Sequence, residues 1–266
     1  MHDTIVWISG ATQGVGLGLA RNVPFANARI INLSRRKHPD YESVTFDLAD
    51  PSTWDRIRGH FIRELAAFRG KRAIFIHNAY YSEAIGVVGK VSSQTYEKGV
   101  LANLAAPFVL AEAFLDACRP GYEAGLVMLS SGAAVAALEG LATYCASKVA
   151  IEHWVEVVAR ERESRGGIGP WVVAVRPGGV DTPALRAASE VDPELYPRVA
   201  SLKRNIPNRV DIDTAGRRIW AALPPAPDTA VISFAEPPSD PAFLFGGPRI
   251  RQLAGSSWKL VYDAGS

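Results

Sequence analysis

Tyr144 and Lys148 stand four positions apart in Tyr144-Cys145-Ala146-Ser147-Lys148, with Ser131 upstream of both. Residues four apart on a helix share one face, which would make a phenol and an ammonium neighbours. Such a pair suits proton transfer to oxygen. A hydride arriving at a carbonyl carbon leaves an alkoxide, which must be protonated. A tyrosine hydroxyl, ordinarily with a pKa of about 10, can donate that proton if its phenolate is stabilised. A nearby ammonium stabilises it, and so does an oxidised nicotinamide. The Ser131 hydroxyl could hydrogen-bond the substrate oxygen and hold it in place. Tyrosine four before lysine is common by chance, so the pair has to be judged by the elements that position it.

Those elements alternate. Short apolar runs predict strands at 5–8, 29–33, 44–46, 73–77, 125–129, 171–175 and 229–234. Helical spacing of apolar residues predicts helices at 15–23, 54–68, 93–117, 143–164 and 211–223. This rhythm predicts an α/β chain: a single doubly wound Rossmann-type domain over residues 1–235, with a parallel sheet of about seven strands. Ser131 then falls at the carboxyl edge of the sheet, where open α/β sheets bind ligands. Two regions break the rhythm. Residues 183–210 carry Pro193, Pro197 and Pro207, and could form a substrate lid through Leu185, Tyr196, Val199 and Leu202, or an ordinary surface helix pair. Residues 236–266 are a Pro- and Gly-rich tail of unknown role.

The first predicted strand runs into Ser9-Gly10-Ala11-Thr12-Gln13-Gly14-Val15-Gly16 and then a helix. Glycines permit a sharp turn and close approach to a pyrophosphate, and the helix N-terminus offers free N–H groups. Gly10, Thr12, Gln13, Gly14, Val15 and Gly16 are thus candidate cofactor contacts, although a plain tight turn would look similar. The second strand ends in Ser34-Arg35-Arg36. A carboxylate there would accept bonds from a ribose 2′-hydroxyl, whereas arginine suits a 2′-phosphate, so NADP(H) is the expected cofactor. A solvated basic loop is the alternative. Asp47, after the third strand, could face the adenine amino group or be an ordinary turn residue.

Taken together, these pieces resemble the short-chain dehydrogenase/reductase family over about residues 4–235, and they occur in the family's order. Gly10, Gly14 and Gly16 match its glycine turn. Asp47-Leu48 is similar to its adenine-side acid, and Asn78-Ala79 to the motif closing the fourth strand. Asn103, Ser131, Tyr144 and Lys148 match its catalytic tetrad. Arg176-Pro177-Gly178-Gly179-Val180-Asp181-Thr182 is similar to its nicotinamide loop. The resemblance implies that Tyr144 and Lys148 also contact the cofactor, Lys148 at the nicotinamide ribose, that Asn103 holds a water linked to Lys148, and that Pro177, Gly178, Val180 and Thr182 border the nicotinamide. Shorter matches, including Ser130-Ser131-Gly132-Ala133-Ala134 and Tyr144-Cys145, are similar to the sepiapterin and benzil reductase branch. That branch reduces diketones and related carbonyl compounds with NADPH.

The chain departs from the family at His77-Asn78-Ala79-Tyr80, where Asn-Asn-Ala-Gly is usual. Tyr80 puts bulk where backbone passes the cofactor, and Tyr80 and Tyr81 could instead line the substrate pocket. Gln13 stands where many NADP-preferring members carry a basic residue, so that preference rests on Arg35 and Arg36. His77 is expected to be structural. His153, about half a turn round from Tyr144, should face the surface or a second subunit.

A net charge of +2 makes no electrostatic case for a nucleic-acid partner. Cys118 and Cys145 show neither disulfide nor zinc spacing and are expected to be reduced. With no signal-like N-terminus and no run of about 18 apolar residues, a cytoplasmic location away from membranes is expected. The helices at 93–117 and 143–164 would pair copies into a homodimer or homotetramer, as they do in the resembled family. The expected activity is NADPH-dependent reduction of a small-molecule ketone or diketone. The same residues would serve an alcohol dehydrogenase working oxidatively. The nucleotide elements alone would serve a non-catalytic NADP(H) sensor, which has no need of Tyr144 or Ser131.

Overall fold

Apolar runs that alternate faces need cover on both sides, and the chain supplies it. The computed structural model describes residues 2–192, 194–196, 199–200, 208–223, 229–234, 249–252 and 258–261. Seven strands form one parallel sheet: β1 (Thr4–Ser9), β2 (Ala28–Ser34), β3 (Glu42–Thr45), β4 (Arg72–His77), β5 (Glu123–Leu129), β6 (Trp171–Arg176) and β7 (Val231–Ser233). Their order is β3-β2-β1-β4-β5-β6-β7. The direction of winding reverses between β1 and β4, so a crevice opens at their carboxyl ends.

Strand periodicity of two splits the core. On one face, Ile5 and Trp7 of β1 and Phe75 of β4 meet α2 (Trp54–Ala67), α4 (Ala106–Ala117) and α5 (Ala142–Ser164), through Phe61, Phe114 and Val155. On the other, Val6, Ile8 and Ile76 meet α1 (Gly14–Arg21) and α7 (Ile212–Ala221), through Leu19 and Trp220. Of the tail, residues Arg249–Gln252 (β8) and Trp258–Val261 (β9) pair antiparallel in a separate two-stranded sheet; the remainder lies outside the described residues. The lid reading is likewise only partly covered. Pro183–Ala188 is a short helix, α6, whereas Leu202 lies outside the described residues.

The expected helix over 93–117 is continuous but not uniform. It consists of α3 (Ser93–Val100), a π-helical turn Leu101–Ala105, and α4. Pro107 has no N–H to give the carbonyl of Asn103, so the ladder shifts to wider bonds, with the Ala106 N–H reaching Leu101. By length and composition this helix is apolar enough to cross a membrane, contrary to expectation; half of its most apolar stretch is buried in the protein. Its buried residues pack in the sheet's larger core cluster.

Candidate active site

The glycine turn is held by close backbone packing. Gly10 has φ +73°, in the left-handed region, and its N–H donates to the Leu33 carbonyl at 2.9 Å. A Cβ on Gly16 would come within 2.3 Å of the Gly10 carbonyl oxygen, so no larger residue fits. Gly16 therefore shapes the turn from behind and does not line the cleft, unlike Gly10, Thr12, Gln13, Gly14 and Val15. Gln13, at the N-cap of α1, makes no side-chain capping bond, and the first turn has no acidic residue. The N–H groups that open α1 are free of a side-chain cap, as an anion site requires.

One residue not singled out from the sequence ties this turn to the basic loop. Asn32, fully buried in β2, accepts the Ala11 N–H at 3.1 Å. Its amide donates to Ser34 Oγ at 3.1 Å and to the Arg36 carbonyl at 2.9 Å. Its signal was a lone polar residue inside Ile30-Ile31-Asn32-Leu33. Arg36 reaches back over the turn and donates to Gln13 Oε1 at 3.0 Å and Thr12 Oγ1 at 3.3 Å. Arg35 lies beside it on the cleft, and both are exposed. Asp47 and Leu48 form the adjoining wall.

β4 delivers Asn78 and Ala79 to the next wall. Buried Ser9 accepts both their N–H groups at 2.9 Å, and Asn78 Nδ2 donates to the Ser9 carbonyl at 3.0 Å. His77 is buried beneath, with Nδ1 3.3 Å from Ser9 Oγ. Burial, aided by the Lys148 charge, pushes its imidazole down to about 3, so it stays neutral. It belongs to the framework, as expected. The backbone of Tyr80 is itself unstrained, since no described non-glycine residue has positive φ. Its ring lies 5.3 Å from the Tyr144 ring, on the cleft wall. The Asn103 side chain clasps the next residue: Oδ1 accepts the Tyr81 N–H at 2.7 Å, and Nδ2 donates to the Tyr81 carbonyl at 2.9 Å. These bonds fix the Tyr80-Tyr81 segment to the π turn.

Ser131, Tyr144 and Lys148 converge at the inner end. Ser131 leaves β5 as the cap of a short 3-10 turn, accepting the Ala133 N–H at 3.2 Å, and hydrogen-bonds the Tyr144 phenol. Burial pushes that phenol above its ordinary value, while the Ser131 bond pulls it down. Burial outweighs the lowering, so in the protein alone the net shift of the phenol is upward. The Lys148 ammonium donates to the Leu129 carbonyl at 2.7 Å and sits 5.4 Å from the centre of the Tyr144 ring. Burial pushes Lys148 down to about 8, against the opposing pull of Glu152.

β6 supplies the last wall. Pro177, Gly178, Val180 and Thr182 all face the cleft, and Thr182 caps α6 by accepting the Leu185 N–H at 3.2 Å. Beyond Tyr144 the wall is apolar, with Ile85, Leu138, Leu141 and Leu185. Tyr196 and buried Val199 of the expected lid do not line it; Tyr196 packs on Gly140 instead. His153 is well exposed on α5, and both cysteines are free.

The cleft holds about 350 Å³ and runs from Arg35 and Arg36, past the glycine turn, to Tyr144. A long cleft with cations at one end, uncapped helix N–H groups midway and a buried phenol at the other has the layout of a nicotinamide dinucleotide site. Comparison with known proteins agrees with this architecture. A Penicillium roqueforti short chain dehydrogenase is 27% identical over 207 residues, covering 75% of this chain and 77% of that one. A Bacillus cereus benzil reductase, forming (S)-benzoin, is 24% identical over 189 residues, covering 66% and 76%. The fold matches that of a Shigella flexneri short chain dehydrogenase solved with NADP, with TM-score 0.68, 20% identity and coverage of 88% and 97%. The model of the short chain dehydrogenase family matches residues 4–192, well over half of the sequence. This chain belongs to the short chain dehydrogenase family.

Proposed function

We propose that this oxidoreductase is an NADPH-dependent carbonyl reductase acting on a ketone or diketone, with Tyr144 as proton donor. The observation that carries the reading is the junction of Tyr144, Ser131 and Lys148 at the closed end of a cleft whose mouth holds Arg35 and Arg36. The arginines favour a 2′-phosphate, and the uncapped start of α1 favours the pyrophosphate. Bound nicotinamide supplies the hydride. The chain must then orient the substrate oxygen and deliver a proton to it.

Ser131 Oγ stands where it can donate to that oxygen, and the Tyr144 phenol beside it can release its proton there. With its phenol raised by burial, Tyr144 is protonated at neutral pH, which suits a donor in the reductive direction. Lys148, cationic below about 8, stabilises the phenolate left behind. The apolar wall of Ile85, Leu138, Leu141 and Leu185 favours an uncharged substrate. Similarity to a benzil reductase supports a diketone.

A panel of diketones, ketones and aldehydes with NADPH, followed at the nicotinamide absorbance, tests the reading. Oxidation of NADPH by at least one uncharged carbonyl compound is expected. Tight NADPH binding with no turnover across the panel would overturn it in favour of a sensor. Two copies are proposed to pair through α4 and α5, where Val149 and Val157 are exposed beside His153. Sedimentation should give a dimer or tetramer at micromolar concentration, and a monomer would refute the pairing.

A further inference from the structure

We infer that Glu152 is a positioning residue for the reaction, its carboxylate joining the exits of β5 and β6 to the Lys148 helix and holding Lys148 in its cationic, Leu129-bonded state. The inference rests on the carbonyl-reductase reading of this cleft.

Glu152 lies one helical turn beyond Lys148 on α5 and is buried. Its Oε1 accepts the Ser130 hydroxyl at 2.5 Å and Arg176 Nε at 2.7 Å, and its Oε2 accepts Arg176 Nη2 at 2.6 Å. Lys148 meanwhile donates to the carbonyl of Leu129. Two residues a turn apart on one helix thus grip two consecutive residues of the β5 exit, and the next residue is Ser131. The same carboxylate takes the guanidinium that immediately precedes Pro177-Gly178 on the nicotinamide side of the cleft. The two strand exits are joined directly as well, by the Ser130 N–H donating to the Val175 carbonyl at 2.8 Å. One carboxylate therefore sets the spacing of three elements that bear Ser131, Lys148 and the Pro-Gly loop.

Stability alone is a poor reason for such a pair, because burying two charges costs about as much as their attraction returns. The charges have a local use. Around Lys148 stand Tyr144 and Glu152 on its own helix, His77 on β4, and Arg176 on β6 behind the carboxylate. His77 is neutral, so Glu152 is the anion that opposes the loss of Lys148's proton by burial.

The test reads Lys148 directly, without turnover. Acetylation of Lys148 by acetic anhydride is followed against pH by peptide mass spectrometry. The unaltered protein should titrate near 8. Glu152→Gln keeps the size and an acceptor but removes the charge, and should move the midpoint down by about one pH unit. Arg176→Met removes the opposing cation and should move it up. Glu152→Asp keeps the charge with a shorter reach; its midpoint should stay near the unaltered value while kcat for carbonyl reduction falls about tenfold. Unmoved midpoints in whichever of the Gln and Met variants folds would overturn the inference, even where reduction is robust. Absence of reduction in the unaltered protein would defeat the functional reading instead, and the labelling midpoints would still decide the role of Glu152.

Discussion

The two ends of the cleft are built from different materials. The mouth is made of backbone and exposed cations: the Gly10 turn, the opening N–H groups of α1, Arg35 and Arg36. The inner end is made of buried side chains: Glu152 accepting the Ser130 hydroxyl and Lys148 on the Leu129 carbonyl, with Ser131 and Tyr144 at the edge. Exposed charge in water is screened and weak per contact, but it discriminates between ligands by sign. A buried group has its protonation set by burial and by one or two neighbours. The mouth is therefore suited to choosing a cofactor, and the inner end to tuning a proton.

That division can be broken by experiment. The largest effect belongs to the inner end. Tyr144→Phe should lower kcat for carbonyl reduction by about 10²–10⁴-fold and leave NADPH affinity unchanged, as read by nicotinamide fluorescence. Loss of binding in that variant would show that the two ends are not separable. At the mouth, replacing both Arg35 and Arg36 by alanine should cut the preference for NADPH over NADH about 100-fold with kcat largely retained, because charge-assisted bonds to a phosphate are lost. An unchanged ratio would remove the arginines from cofactor choice.

A smaller effect concerns the framework between the ends. The His77 imidazole is held near 3 in the folded chain, against about 6.5 when unfolded. The unfolded chain thus binds the extra proton first as pH falls. Stability should be complete above about 6.5 and decline from there toward 3. Thermal melts of His77→Asn across pH 4–7 should show a shallower acid decline than the unaltered protein. An equal slope would assign acid sensitivity elsewhere. Smallest is Tyr80, whose ring borders Tyr144. Tyr80→Gly should raise KM for aromatic ketones about threefold, the worth of one aromatic contact, with little change in kcat.

Much of this was legible in local patterns. The alternation of apolar runs specified seven parallel strands, since only buried strands need continuous apolar sequence. The glycine turn was legible because few residues other than glycine adopt the φ of Gly10 and none clears the contact at Gly16. Tyr144 and Lys148 were legible because helix geometry alone makes them neighbours. Glu152 could have been found by the same spacing, one turn past Lys148, and Asn32 as a polar interruption of an apolar strand.

The rest depended on which distant segments meet. The sequence could place Lys148 beside Tyr144 but not the ammonium on the Leu129 carbonyl, nor the burial that raises the Tyr144 phenol in the protein alone. Nor could it show that Asn103 clasps the Tyr81 backbone, or that one carboxylate joins Ser130 to Arg176. Residue types and short spacings thus determined the fold, the family and the chemistry on offer. Tertiary packing decided the protonation and alignment of those groups, because burial and hydrogen bonding depend on neighbours that are remote along the chain.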